Sequence, residues 1–246
     1  MNRNDITHIN LRAPFTSRQS PVRFAHLSDL HLRGWNDSLH RLVESLNEPD
    51  LDFIVITGDS ISRRNTEALD ALAKLCGTIR TRRGIFAVRG NWEVLHGPPL
   101  RKLRKLFRRS GARLLTNEHQ LISLPAGSIC IAGLDDLCLG APDLQMATRG
   151  ARQSDFTVLL AHAPLAAQLL PPDTGVDLVL SGHTHAGQIR VPVLWRLFLP
   201  HWHGGLVEGM YDLPHVRAYV NRGFGAVGLL PMRFRCPPEI ALFTIT

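Results

Sequence analysis

The chain has 246 residues, 44% hydrophobic and 20% charged, ordinary values for a soluble globular protein able to bury a sizeable core. Its four cysteines (Cys76, Cys130, Cys138 and Cys236) form no CxxC pair, and no signal-peptide core or run of about 18 apolar residues occurs, which argues against a disulfide frame, a secreted protein and a membrane span. The expected setting is cytoplasmic. The net charge of +7 is concentrated: between residues 80 and 113, eleven Lys and Arg face Glu93 alone, so that segment carries +10 and the remainder about −3.

Residues 1–21 read as a flexible lead-in and 22–246 as a single domain. Val22 to Leu27 is a strand ending in Asp29-Leu30-His31. A helix follows over Asp37–Leu46, with Asp37 as its N-cap. Leu51 to Thr57 is a buried strand ending in Gly58-Asp59, and a second helix spans Thr66–Cys76, closed by Gly77. Gly84 to Val88 is a third strand, ending in Arg89-Gly90-Asn91-Trp92-Glu93. Pro99 to Arg109 is a basic helix with Leu100, Leu103, Leu106 and Phe107 on one face. Short strands occupy residues 113–133, a loop runs from Leu134 to Asp143, and Thr157–Ala161 is a strand delivering His162. Val176–Leu180 is another, ending in Ser181-Gly182-His183-Thr184-His185. An apolar, aromatic loop from Val193 to His203 comes next, and strands at Arg217–Val220 and Ile240–Thr246 close the chain.

Strand and helix alternate, which predicts an α/β fold with ligands at the carboxyl ends of the strands. Taken singly, each polar cluster has a plain reading: Asp29 as a capping residue, Gly58-Asp59 as a turn, His162 as a satisfied core histidine. Together they place two carboxylates, four imidazoles and the amide of Asn91 at the same end of five strands. Imidazole is the commonest protein ligand for metal ions.

In order and spacing these residues resemble the calcineurin-like metallophosphoesterases, whose signature runs D-x-H, GD, GN-H-[DE], H and GH-x-H. Here it reads Asp29-Leu30-His31, Gly58-Asp59, Gly90-Asn91-Trp92-Glu93, His162 and Gly182-His183-Thr184-His185. The run from His183 through Arg222-Gly223-Phe224-Gly225 to Arg235-Cys236-Pro237-Pro238-Glu239 is similar to one bacterial subfamily. That subfamily holds small, often membrane-associated phosphoesterases, including hydrolases of UDP-diacylglucosamine. The resemblance implies a two-sheet β-sandwich flanked by helices. It also implies two divalent metal ions, one held by Asp29, His31, Asp59 and His185, the other by Asp59, Asn91, His162 and His183, with Asp59 bridging. Asp59, Asn91 and His162 would be the catalytic core, acting through a metal-bridging hydroxide in line with the phosphorus. Two such ions and two ionised Asp leave +2, suited to hydroxide and an anionic phosphate, and neutral Asn91 preserves that balance. Imidazoles without thiolates favour Mn, Fe, Co or Zn over Mg or Ca.

The chain departs from the signature at Trp92, where the family has a histidine able to protonate the leaving oxygen. Indole donates a hydrogen bond but is no acid. His96, four residues on, is the nearest replacement; otherwise the leaving group needs little help, as in a phosphoanhydride or an aryl phosphate. Trp92 and His96 are thus candidate substrate contacts. The helix at residues 100–109 can simply present its charged face to water, or it can meet an anionic membrane surface on the inner face of the membrane, where each basic residue contributes ~1 kcal/mol. Three functions remain in view: a phosphodiester or pyrophosphate hydrolase, including one for a lipid-linked substrate; a nuclease or cyclic-nucleotide-type phosphodiesterase tracking a phosphate backbone; and a non-catalytic metal-dependent binding protein. Nucleic acid is disfavoured as a partner, since the aromatics cluster apart from the basic segment instead of interleaving with it.

Overall fold

A computed structural model describes residues 6–13, 21–62, 64–192, 195–227 and 232–246, with the side chain of Phe198 set aside. In order, the first half runs β1 (Ile6–Leu11), β2 (Val22–Leu27), α1 (Asp37–Asn47), β3 (Phe53–Thr57), α2 (Thr66–Thr78), β4 (Ile85–Val88), α3 (Asn91–His96), α4 (Leu100–Arg109) and β5 (Ala112–Leu114). The second half runs β6 (Glu118–Leu124), β7 (Gly127–Gly133), α5 (Leu144–Ala147), β8 (Phe156–Leu160), β9 (Leu178–Ser181), β10 (Gly209–Asp212), β11 (Arg217–Val220) and β12 (Ile240–Ile245), with short 3-10 turns between them.

Two six-stranded sheets result, ordered β1-β12-β2-β3-β4-β5 and β10-β11-β9-β8-β7-β6. The strands β2 to β5 run parallel, as do β7, β8, β9 and β11, so their carboxyl ends share a direction within each sheet. Alternation along each strand sorts the side chains. Phe53 and Val55 of β3 face the other sheet, whereas Ile54 and Ile56 face the helices α1, α2 and α4. Between the sheets Phe24 stacks on Phe53 at 4.7 Å and on Phe243 at 4.8 Å. A smaller apolar layer, including Leu134, Leu159, Val179 and Val220, covers the outer face of the second sheet. The expected two-sheet β-sandwich flanked by helices is present.

Several local expectations need correcting. Ile6–Leu11 is no loose lead-in but an edge strand, paired in parallel with β12 and tied to it by Thr7 Oγ1 donating to Glu239 at 2.5 Å. Its polar residues alternate with Ile6, Ile9 and Leu11 too sparsely to read as a core strand. The N-cap of α1 is Asn36, whose side chain accepts from the Leu39 amide at 3.1 Å, and Asp37 is its first helical residue. Gly77 lies inside α2, which ends at Thr78. The strand β10 and the short helix α3 had no clear pattern of their own, and part of the aromatic loop, Trp195–Phe198, is a 3-10 turn. Val193 and Leu194 of that loop lie outside the described residues.

Candidate metal centre

The parallel strands β2 and β3 do not stop pairing where their side chains turn polar. Asp29 N donates to Gly58 O at 3.1 Å, His31 N to Asp59 O at 2.9 Å and Leu32 N to Ser60 O at 2.9 Å. The two loops therefore run side by side and present Asp29, His31 and Asp59 to one basin. Across from them, Gly182 N donates to His162 O at 3.0 Å, coupling the loops after β8 and β9. The basin lies between the two sheets at these strand ends. Five of the seven candidate residues sit in the left-handed backbone region: Asp29 (φ 50°), His31 (45°), Asp59 (50°), His183 (70°) and His185 (49°). Non-glycine residues rarely adopt it, and such strain gathers at functional sites, where the surrounding structure enforces it.

The side chains converge. His31 Nε2 is 3.1 Å from His185 Nε2 and 3.6 Å from Asp59 Oδ2, while His185 Nε2 is 3.4 Å from Asp29 Oδ1. His162 Nε2 lies 3.3 Å from Asp59 Oδ2, 3.1 Å from Asn91 Oδ1 and 3.1 Å from His183 Nδ1. Ligand atoms bound at about 2.1 Å stand roughly 3.0–3.4 Å apart around one ion, so these spacings suit coordination. Asp29, His31 and His185 form one compact group, and Asp29, Asp59 and His162 another. Asp29 thus stands between the two groups as much as Asp59 does.

Surrounding atoms fix which ring nitrogen faces the basin. His162 donates through Nδ1 to Thr57 O at 2.8 Å, and His183 through Nε2 to His201 O at 2.8 Å, turning Nε2 and Nδ1 inward respectively. Ser28 Oγ donates to Asp29 Oδ2 at 2.6 Å, and the His183 amide reaches the same oxygen at 2.9 Å. Arg233 Nη2 lies 3.3 Å from His185 Nδ1 and donates to Arg222 O at 2.9 Å.

Burial pushes the His31 and His185 imidazoles below their ordinary range; burial and the neighbouring His162 push His183 down to about 4. Neutral rings are the ligand form. Burial would lower His162 too, but the Asp59 carboxylate outweighs it and the ring is pushed up to about 10. Burial would raise Asp59, yet His162 and His31 hold its carboxyl below the ordinary range. Burial pushes the Asp29 carboxyl above its ordinary range. Two carboxylates, the Asn91 carbonyl and inward-facing ring nitrogens, with no thiolate among the seven, fit divalent transition ions.

Glu93, which in the sequence stands out only as part of the Gly90-Asn91-Trp92-Glu93 motif, braces the basin. Buried at 3% exposure, it accepts the amides of Asp59 and Gly90, both at 2.8 Å, through Oε2, and that of Ile61 at 3.0 Å through Oε1. Its spacing of three residues after Gly90, at the start of α3, was the available signal. Burial and Asp59 push its carboxyl up to about 7. Ser28, Thr57 and Arg233 gave no comparable signal, because two of them act through backbone or hydroxyl contacts and the third arrives from 48 residues beyond His185. Trp92 donates its amide to Asp59 Oδ1 at 2.9 Å, and its ring meets His31 edge-on at 5.4 Å. His96 is exposed and packs 4.9 Å from the Trp92 ring; among the described residues no hydrogen bond or ion pair joins it to a candidate ligand.

The family model for calcineurin-like phosphoesterases matches residues 22–187. The chain belongs to that family. Its members are metal-dependent phosphoester hydrolases that use two divalent ions. Among curated relatives, the Bacillus subtilis metallophosphoesterase YkuE is 38% identical over 90% of this chain and 76% of its own length. A Helicobacter pylori metallophosphoesterase is 32% identical over 87% and 57% respectively. A Danio rerio transmembrane protein with a metallophosphoesterase domain is 33% identical over 89% and 52%. This phosphoesterase chain therefore spans between about half and three quarters of the length of these relatives. Two solved structures share its fold: a Thermus thermophilus sulfate thiohydrolase (TM-score 0.55, 10% identity, 93% of this chain and 57% of that one) and a 5′-nucleotidase precursor from the same species (0.51, 12%, 92% and 55%). No helix among the described residues is long and apolar enough to cross a membrane.

Proposed function

We propose that the chain is a dinuclear metal-dependent hydrolase of a phosphodiester or pyrophosphate whose leaving group needs little protonation, a lipid-linked nucleotide sugar such as UDP-diacylglucosamine being one such substrate. The convergence of seven donor-bearing residues in one buried basin, with a tryptophan where the acid would stand, carries this reading. Asp29, His31, Asp59 and His185 would hold one ion, and Asp59, Asn91, His162 and His183 the other. When bound, two such ions polarise a phosphoryl oxygen and lower the pKa of a water. The chain orients that chemistry. Thr57 and His201 carbonyls fix the tautomers of His162 and His183, Glu93 holds the Asp59 backbone, and Trp92 walls the His31 side without offering a proton.

The test is a panel of phosphoesters with Mn²⁺. Aryl diesters and pyrophosphate diesters should turn over at least ~10²-fold faster than alkyl monoesters, the span a missing general acid typically imposes. Equal rates on the two classes would overturn the assignment of leaving group. Two ions bound per chain with no turnover of any ester would favour the binding-protein reading. Asp59→Ala and His183→Ala should each abolish the aryl activity.

Contact with an anionic membrane surface is part of the same proposal. In α4, Leu103 and Phe107 are buried and the six basic side chains are exposed. Near the His183–His185 loop, Leu197 (79% exposed), Trp202, Met232 and Phe234 also face outward. Exposed apolar side chains and a cationic helix face each suit a lipid headgroup boundary. Liposome flotation and nucleic-acid gel shifts across a salt series separate this from the nuclease reading: binding to anionic vesicles alone supports it, and binding to nucleic acid alone overturns it.

A further inference from the structure

Beside His31, on the side of α1, lies a cleft of about 580 Å³, with Leu32, Leu39 and Phe224 among its walls. Its charged lining is one-sided: Arg33, Arg41 and Arg233 border it, and among the described residues no carboxylate does. Elsewhere the described arginines commonly have acidic partners. Arg82 pairs with Asp50 and Asp52, Arg89 with Asp135, Arg104 with Glu118, Arg152 with Asp173, Arg190 with Glu208 and Arg222 with Glu239. In the cleft, Arg41 reaches only the Ser38 hydroxyl, at 3.3 Å, and neither it nor Arg33 has an ion-pair partner among the described residues. Arg233 is held rigidly, donating through Nε to Gly225 O at 2.7 Å and through Nη2 to Arg222 O at 2.9 Å.

Arg33 and Arg41 are exposed, and the planar fork of arginine matches phosphate and carboxylate. The volume is within the range of small-molecule sites. His31, a candidate ligand, and Arg233, whose Nη2 lies 3.3 Å from His185 Nδ1, both line the cleft, which places it next to the metal centre. We propose that this cleft is a subsite for a second anionic group of the substrate, a phosphate or carboxylate remote from the bond that is broken. This deepens the phosphoesterase reading and rests on it for the placement of the first phosphorus. Arg33 and Arg41 supply the counter-charge, and Leu32, Leu39 and Phe224 cover the linking carbons.

The probes are α,ω-alkane bisphosphonates of four to eight carbons and the matching alkyl monophosphonates, neither of which can be hydrolysed. Affinity is read by calorimetry on the Mn²⁺-loaded protein and as inhibition of aryl diester turnover. At least one chain length should bind wild type 10-fold or more tightly than its monophosphonate. In Arg33→Ala/Arg41→Ala that advantage should fall below threefold, with monophosphonate affinity and aryl turnover within twofold of wild type. Arg33→Lys/Arg41→Lys should keep part of the advantage, which separates lost charge from lost folding. The proposal is overturned when no chain length gains over its monophosphonate, or when the gain survives in the double alanine variant. Calorimetry keeps the two readings apart: preference for bisphosphonates without turnover of any ester sinks the hydrolase and retains the subsite.

Discussion

The two halves of the metal basin are held in different ways. Asp29, His31 and Asp59 stand on loops that continue the parallel pairing of β2 and β3, and the carboxylate of Glu93 gathers three backbone amides beneath them. His183 and His185 stand on a loop whose rings are steered from farther off, by the His201 carbonyl and by Arg233. One half is an extension of a sheet; the other is hung from irregular segments. The contrast teaches that the carboxylate half can exist as a rigid platform before any ion arrives, and that the histidine half is where relatives can vary the loops without losing the platform.

The largest test of the platform is Asp59→Ala, which removes the carboxylate facing both His31 and His162. Aryl diester turnover should fall by at least ~10³-fold, beyond the loss typical of one electrostatic donor; a tenfold loss would mean that Asp59 is peripheral. Gly182→Ala comes next and attacks the junction of the halves. A Cβ there would stand 2.2 Å from Asp29 Oδ2 and closer still to the Ser28 hydroxyl, so the histidine loop must retreat from the platform. Metal affinity, read by dialysis against Mn²⁺, should drop about 10²-fold with far-UV circular dichroism unchanged. Retained affinity would show that the histidine half adapts.

Glu93→Gln tests whether the platform is pre-built. The amide leaves at least one of three buried N–H groups facing a donor, at a cost of about 1–3 kcal/mol, and metal affinity should weaken about 10-fold as Asp59 loosens. An unchanged melting temperature would break the comparison.

The smallest effect is on pH dependence. His26 on β2 is fully buried and burial lowers its pKa to about 3, while the unfolded chain titrates near 6.5. The folded state keeps this ring neutral, so below about pH 6.5 the unfolded state binds the extra proton. Stability contributed by neutral His26 is present above that value and is lost as pH falls toward about 3, at up to ~1.4 kcal/mol per pH unit. Urea unfolding of the metal-free protein at pH 7, 6 and 5 should show the slope, and His26→Gln should make it shallower, the remainder belonging to the other buried imidazoles held below their ordinary range, His31, His183 and His185.

Much of this was legible in the sequence, for identifiable reasons. Phe53 and Ile54, Val55 and Ile56 are buried on both faces of β3, so a parallel sheet appears as an uninterrupted apolar run, and the polar residue after it reads as a ligand. Asp29, His31, Asp59, Asn91, His162, His183 and His185 share that position. What stayed hidden depends on contacts between distant segments. Ile6–Leu11 becomes a strand because β12 offers it an edge, and β10 exists only as the partner of β11. The Arg33–Arg41–Arg233 cleft joins residues some 200 apart, and a guanidinium lacking a partner is invisible in a composition.

The order β1-β12-β2 has one more consequence, for the timing of assembly. β12 is made long after β2, and it inserts between β1 and β2, pairing Phe243 with Phe24 and Ala241 with His26. Until residue 245 has left the ribosome, β2 has an open edge and the stack of Phe24 on Phe243 is missing. The loop carrying Asp29 and His31 hangs from that strand. A nascent chain that has not yet exposed β12 would hold every candidate ligand and still lack the support of one wall of the basin, so metal capture is expected to be a late event that waits on the slow closure of a very long-range contact.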